Sequence, residues 1–229
     1  MTPIAVEGAA GARTAIDAAS GEVAARAAST SDRLPRSRLV AYSTAALAID
    51  MVVVPITAVL PAFYAKHTAA SLSAIGVWLV VTMFWDAISD QVIGYVSDRT
   101  RSRFGARKPW IVLGALVTSL SVMFLFRPSP DSTVTYFGVW ALVFYAGWAM
   151  MTIPYTAWGA ELSNDYRERS RIVTYRQVAG SLGGLLFLAA PLLLPFESTE
   201  MSPRVMSVVA WATLLLLPAA VAITVTLVP

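Results

Sequence analysis

The chain has no cysteine among its 229 residues and a single histidine, His67. Disulfide frameworks, thiolate nucleophiles and zinc–cysteine sites are thereby excluded, and one imidazole cannot build a histidine metal site. Charge is the next scarcity. Only 14% of residues are Asp, Glu, Lys or Arg, against roughly 25% in a soluble domain, while 57% are hydrophobic and mean hydropathy is +0.64. That is the composition of a membrane protein. The phosphate loop G-x-x-x-x-G-K-[ST] and the zinc motif H-E-x-x-H are both missing. The net charge of +3 does not call for a nucleic-acid partner, because in so apolar a chain basic residues mark the cytoplasmic side of a membrane.

What is present is a series of apolar stretches. Residues 1–37 stand apart: they are rich in Ala, Ser and Arg, with no aromatic and none of the continuous apolar run of about 7–15 residues that a secretory signal needs. They read as a disordered cytoplasmic tail, with an amphipathic surface helix over residues 13–27 as the alternative. Residues 38–229 form the membrane unit, with spans expected near 39–64, 71–96, 109–126, 133–160, 172–195 and 205–228. Each approaches or exceeds the roughly 20 residues that cross about 30 Å of hydrocarbon. Short loops make neighbouring spans antiparallel, so the expected fold is an all-α, six-helix integral membrane bundle. Thirteen Lys and Arg fall in the amino-terminal segment, the second loop and the fourth loop; three, Lys66, Arg127 and Arg204, fall on the other side. The positive-inside rule then places both termini in the cytoplasm and the protein in the cytoplasmic (inner) membrane. Prolines 55, 61, 154, 191, 195 and 218 are expected to kink their spans. Gly180 and Gly184 form a small-xxx-small pair suited to close helix packing.

Four ionisable residues stand inside apolar spans: Asp50, Asp86, Asp90 and Arg176. Each costs on the order of 2.5–3.5 kcal/mol at a helix centre by insertion scales, so such groups face a bundle interior or a wet cavity and mark an ion or substrate path. Asp86 and Asp90, four residues apart, share a helical face that Thr82 and Ser89 continue. Two ionised carboxylates so close repel, and a proton or a sodium ion between them relieves the strain. Simple solvation of Asp90 at the cytoplasmic end is the alternative. Arg176 shares its face with Gly180 and Gly183, and either clamps an intramembrane Asp or donates to substrate hydroxyls. Trp148, Thr152 and Tyr155 lie on one stripe, where aromatic faces either stack on sugar rings or pack the bundle.

The segment FWDAISDQVIGYVSDRTRSRFGARKPWIVLGA, Phe84 to Ala115, resembles the glycoside-pentoside-hexuronide:cation symporters, the melibiose-permease-like family of the major facilitator superfamily. WDAISD is similar to that family's second-helix motif, and GYVSDRTRSRFGARKPW to its form of the superfamily's loop signature. IPYTAWGAELSNDYRERSRIVTYRQ, Ile153 to Gln177, is similar to its segment across helices four and five. The resemblance covers residues 38–229. It implies that Asp86 and Asp90 are cation-site carboxylates, with Thr152 standing where well-studied members carry a further acid. It implies that Asp50 and Arg176 bind the sugar; Trp148 and Tyr155 are candidates for the same site from their place on the α-helical stripe alone. The resemblance makes Asp98 and Arg99, with Glu161, part of a gating latch on the cytoplasmic side; Arg107 and Lys108 follow in the same loop, and Arg101 and Arg103 serve topology.

Members of the family have about twelve helices in two halves. This chain matches the amino-terminal half, so a second six-helix half is an expected partner, together with the bilayer, a small sugar or glycoside, and a coupling cation, sodium or proton. No other cofactor is expected. The expected function is cation-coupled transport by alternating access. A non-transporting half-molecule acting as an assembly or regulatory subunit is the alternative. An integral-membrane enzyme using the Asp pair as acid and base is the remaining one, and it lacks a nucleophile, metal ligand or cofactor motif.

Overall fold

A computed structural model of the chain describes residues 33–193 and 202–228, with the side chains of 190–193 excepted. The surface helix considered for residues 13–27 and the kink expected at Pro195 lie outside the described residues. Among the described residues, six helices are long and apolar enough to cross a membrane: α1 (Arg36–His67), α2 (Leu72–Arg99), α3 (Lys108–Leu125), α4 (Val134–Glu161), α5 (Tyr166–Leu193) and α6 (Pro203–Leu227). The described residues contain no strand.

Local chemistry sets the helix ends. Ser71, Thr133 and Ser202 cap α2, α4 and α6, each side-chain oxygen accepting from the backbone N–H three residues on. Pro109 sits in the first turn of α3, where a missing N–H costs nothing. Helix α5 starts at Tyr166, six residues before the expected span. Asp165 caps it there, its carboxylate accepting from Arg167 N–H at 3.2 Å and its carbonyl from Arg169 N–H at 3.0 Å. The charges that read as a loop belong to the first turns of the helix, with Glu168 buried and the neighbouring Arg167 and Arg169 exposed.

Proline acts unequally. Helix α1 is widened into a π turn over Pro55–Val59, and Pro61 opens the α-helical turn that follows. Neither proline has an N–H to give the α-ladder, and the i→i+5 bond from Leu60 N–H to the Pro55 carbonyl absorbs the misfit. Pro154 and Pro218, by contrast, lie inside helices that run on without a break.

The helices pack chiefly in an arc, α2 on α4, α4 on α3, α3 on α6, α6 on α1 and α1 on α5, with lesser contacts of α1 with α2 and α4 with α5 and a Tyr42–Tyr155 contact from α1 to α4. Glycines on both helices permit the approach of α3 to α4. A Cβ at Gly114 would meet the Met150 and Gly147 backbone at 2.8 Å, and one at Gly147 would meet Thr118 N at 2.8 Å, so α3 and α4 touch backbone to backbone. The ends of the arc, α2 and α5, are the least buried spans. Bonds across the bundle also fix which ends share a side: Leu34 N–H donates to Glu168 at 3.2 Å, Arg107 pairs with Glu161, and Lys108 donates to the Val225 and Val228 carbonyls at 2.9 and 2.8 Å. The start of α1, the α2–α3 and α4–α5 loops and the end of α6 therefore lie together.

Candidate functional site

Helices α1 and α5 meet through glycines. Gly183 lies against the Leu47 carbonyl, and Gly184 against Val54 with 3.1 Å for a Cβ. Gly180 lies against the carboxylate of Asp50. Any larger residue at 180 would displace that acid, so the small-residue stripe sets the place of the Asp50 carboxylate as well as a helix contact. Asp50 and Arg176 face one pocket of about 140 Å³, together with Trp148, Thr152, Tyr155 and Gln177. Arg176 acts on Asp50 through space, and no direct ion pair joins them among the described residues. An acceptor, Asp50, and a donor, Arg176, thus line one small space that also holds apolar surface, an arrangement that can bind a neutral polyhydroxylated ligand through both. A second cavity of about 260 Å³, sharing Thr156 and Arg176, extends the space along Tyr42 to Arg169.

The stripe Trp148, Thr152, Tyr155 divides on inspection. Tyr155 is 2% exposed; its ring is stacked on Tyr42 at 4.5 Å and its hydroxyl donates to the Tyr42 carbonyl at 2.8 Å. Its ring face is occupied by Tyr42, so it borders the pocket as part of a helix-to-helix clasp. Trp148 is partly exposed in the pocket and stacks on Phe144 at 5.9 Å. The Thr152 hydroxyl donates to the Trp148 carbonyl at 2.9 Å, and this side chain lies in the pocket of Asp50 and Arg176, which neither Asp86 nor Asp90 lines.

Asp86 and Asp90 are half-buried on α2 and interact with each other through space. Thr82 and Ser89 are buried beside them, but both hydroxyls donate back to their own helix, to Leu79 at 2.9 Å and to the Asp86 carbonyl at 3.0 Å. Asp86 Oδ1 is buried without a hydrogen-bond partner among the described residues, and Tyr145 of α4 is within electrostatic reach. Among the described residues no three His, Cys, Asp or Glu cluster closely enough to hold a metal ion. A sodium ion at the pair would take further oxygens from hydroxyls or carbonyls.

At the charged end, the acids converge on a residue that the sequence places only in a basic run. Arg107 donates to Asp98 at 2.8 Å and to Glu161 at 2.6 and 3.1 Å. Its side chain is 16% exposed, against 62% and 58% for the two acids. The bonds to Glu161 push its pKa above the ordinary guanidinium value, against a smaller opposing effect of burial. Gly105, with φ of +94°, turns the loop so that Arg107 folds back over Asp98, and its place in RFGAR was the available signal. Arg99 lies 3.6 Å over the Tyr95 ring and joins neither acid.

The family described as MFS/sugar transport protein matches residues 41–228. The chain is 32% identical to the inner membrane symporter YicJ of Escherichia coli over 128 residues, 54% of this chain and 28% of that protein. It is 29% identical to the lactose permease of Lactobacillus delbrueckii over 128 residues, 52% of this chain and 20% of the permease. It is 32% identical to the sodium-dependent lysophosphatidylcholine symporter 1-B of Danio rerio over 114 residues, 47% of this chain and 21% of that protein. The matched region spans less than a third of each of these relatives.

Proposed function

The chain belongs to the MFS/sugar transport protein family, a family of multi-pass membrane transporters and not of enzymes, and from that premise we propose that it serves cation-coupled transport of a sugar or glycoside by alternating access. The observation that carries this reading is the pocket in which Asp50 of α1, Trp148 and Thr152 of α4 and Arg176 of α5 face one another. Asp50 accepts from, and Arg176 donates to, substrate hydroxyls, with Trp148 offering an apolar face. Asp86 and Asp90 bind the coupling ion, sodium or proton. Thr152 supplies an oxygen between the two functions. Asp98 and Glu161, joined through Arg107 with Arg99 beside them, form the latch of the cytoplasmic gate. Both termini lie in the cytoplasm and the protein in the inner membrane.

The six helices supply one wall of the transport cavity, and a second six-helix half supplies the other. The low burial of α2 and α5, which carry exposed Val77, Val81, Phe84, Ile88 and Leu185, supports a partner surface there. The test is uptake into vesicles of a labelled glycoside panel, with lysophosphatidylcholine as the competing cargo, under an imposed sodium or proton gradient. We expect saturable, gradient-driven glycoside uptake when a second half is present and none from the chain alone as a verified monomer. Uptake by the monomer would overturn the two-wall scheme. Uptake of lysophosphatidylcholine but of no glycoside would overturn the substrate class.

A further inference from the structure

On the face of α1 and α5 that does not line the polar pocket, two features follow one another along the helices. At the charged end, Arg33, Arg167 and Arg171 line a pocket of about 170 Å³ with Asp165 and Glu168. Three arginines thus meet two acids, and both acids are engaged. Glu168, 2% exposed, accepts from Arg171 at 2.8 and 2.9 Å and from Leu34 N–H at 3.2 Å. Asp165 caps α5. The guanidinium groups of Arg33 and Arg167 pair with neither acid among the described residues, which leaves the pocket positive.

Next along the same helices runs a groove of about 420 Å³, lined among others by Val40, Leu47, Thr174, Val178 and Leu182. The threonines on its wall do not offer free donors, since Thr44 donates to the Val40 carbonyl at 3.0 Å and Thr174 to the Ser170 carbonyl at 2.8 Å. Arg167, Arg171, Thr174, Val178 and Leu182 follow at steps of three and four residues and so form one stripe of α5. From Arg171 to Leu182 the stripe rises about 16 Å at 1.5 Å per residue, and one leaflet is half of a hydrocarbon core about 30 Å thick. None of the groove's lining residues also lines the pocket of Asp50 and Arg176.

We propose that this face binds one phospholipid of anionic headgroup, its phosphate held by Arg33, Arg167 and Arg171 and an acyl chain lying in the groove between α1 and α5. Charge complementarity selects the headgroup, and a leaflet-length apolar groove selects a chain. The lipid is a bound component of the α1–α5 pair and not the transported solute. The inference rests on the membrane fold and not on the transport reading, so either can fail without the other.

The experiment titrates the purified full chain in detergent with phosphatidylglycerol or phosphatidylcholine of identical acyl chains and reads bound lipid by native mass spectrometry. Phosphatidylglycerol is expected to be retained at least about tenfold better, as two arginines near an anionic group predict. Arg33→Gln with Arg167→Gln should remove the preference, and Arg33→Lys with Arg167→Lys should restore most of it. Arg101→Gln with Arg103→Gln, an equal charge loss at the α2–α3 loop, should leave it intact. Val178→Trp should lower retention of both lipids by filling the groove. Equal retention of the two lipids, or equal loss of preference in the Arg101 and Arg103 pair, would overturn the proposal. So would displacement by inorganic phosphate with Val178→Trp having no effect, since that marks a site for a free anion. A dimer that retains neither lipid would show that a second copy covers the groove, and would also overturn it.

Discussion

Tyr42 and Tyr155 bind each other twice: each hydroxyl donates to the other's backbone carbonyl at 2.8 Å, and the rings stack at 4.5 Å between α1 and α4. Gly159 lies against the Tyr42 hydroxyl, so a Cβ there would push it off its acceptor. Gly159→Ala should therefore destabilise the protein by about 1–3 kcal/mol, the cost of leaving buried polar groups unpaired. Gly76→Ala on α2, where a Cβ meets nothing within 4 Å, should be neutral or stabilising by up to about 1 kcal/mol through helix propensity. Thermal unfolding in one detergent measures both, and equal effects would show that the clasp does not hold α1 to α4.

The contact between Asp50 and Gly180 links packing to binding in the same way. Gly180→Ala has to move the carboxylate, whereas Gly184→Ala presses only on a methyl of Val54 at 3.1 Å. Glycoside affinity should fall at least about tenfold in Gly180→Ala and in Asp50→Asn, about 1.4 kcal/mol or more, and stay within about twofold in Gly184→Ala. Calorimetric titration checks this, and a Gly180→Ala protein that binds normally would remove Asp50 from the site.

Much of this was legible in the chain before any coordinates. Six apolar stretches give six helices because an apolar run of this length has few other stable forms in a bilayer, and the cost of intramembrane charge singles out Asp50, Asp86, Asp90 and Arg176. The π turn at Pro55, the early start of α5 and the engagement of Tyr155 were not legible. Each depends on a partner fixed only by the fold: Leu60 N–H reaching the Pro55 carbonyl, Asp165 capping α5, and Tyr42 covering the Tyr155 ring. Arg107 was hidden for a similar reason. A basic run does not say which member folds back, and the turn at Gly105 decides it.

In the proposed latch, an order of importance follows from contacts. Arg107→Gln removes three bonds, Glu161→Gln weakens two, Asp98→Asn weakens one, and Arg99→Gln removes only a contact with Tyr95. Exposed pairs contribute roughly 0–1 kcal/mol each, so global stability should change little. Trypsin cleavage after Arg101 and Arg103 should accelerate in the order Arg107, Glu161, Asp98, Arg99. Arg99→Gln having the largest effect would reject this assignment.

Orientation is directly measurable because the chain has no cysteine of its own. Ser102→Cys, in the α2–α3 loop between Arg101 and Arg103, should resist an impermeant thiol reagent in intact cells and react once the cells are opened. Ready labelling from outside would invert the topology and place the latch on the opposite face.

Coupling is the most demanding prediction. Asp86 and Asp90 interact through space on one face of α2, and Asp86 Oδ1 is buried without a partner among the described residues. The hydroxyls of Thr82 and Ser89 are already donated to their own helix. In the proposed ion site the two carboxylates carry the formal charge, whereas a donating hydroxyl still offers only an uncharged oxygen, so replacing either carboxylate removes about half of the charge that would hold a cation. Asp86→Asn and Asp90→Asn, each assembled with the second half, should lose gradient-driven accumulation at least about a hundredfold, on the order of 2.7 kcal/mol. Glycoside binding should survive, because neither residue lines the pocket of Asp50 and Arg176. The paired readout is accumulation under a sodium or proton gradient and equilibrium binding without one. Accumulation that keeps its ion dependence in both variants would move the coupling site elsewhere, and joint loss of binding and accumulation would mean that the two sites are one.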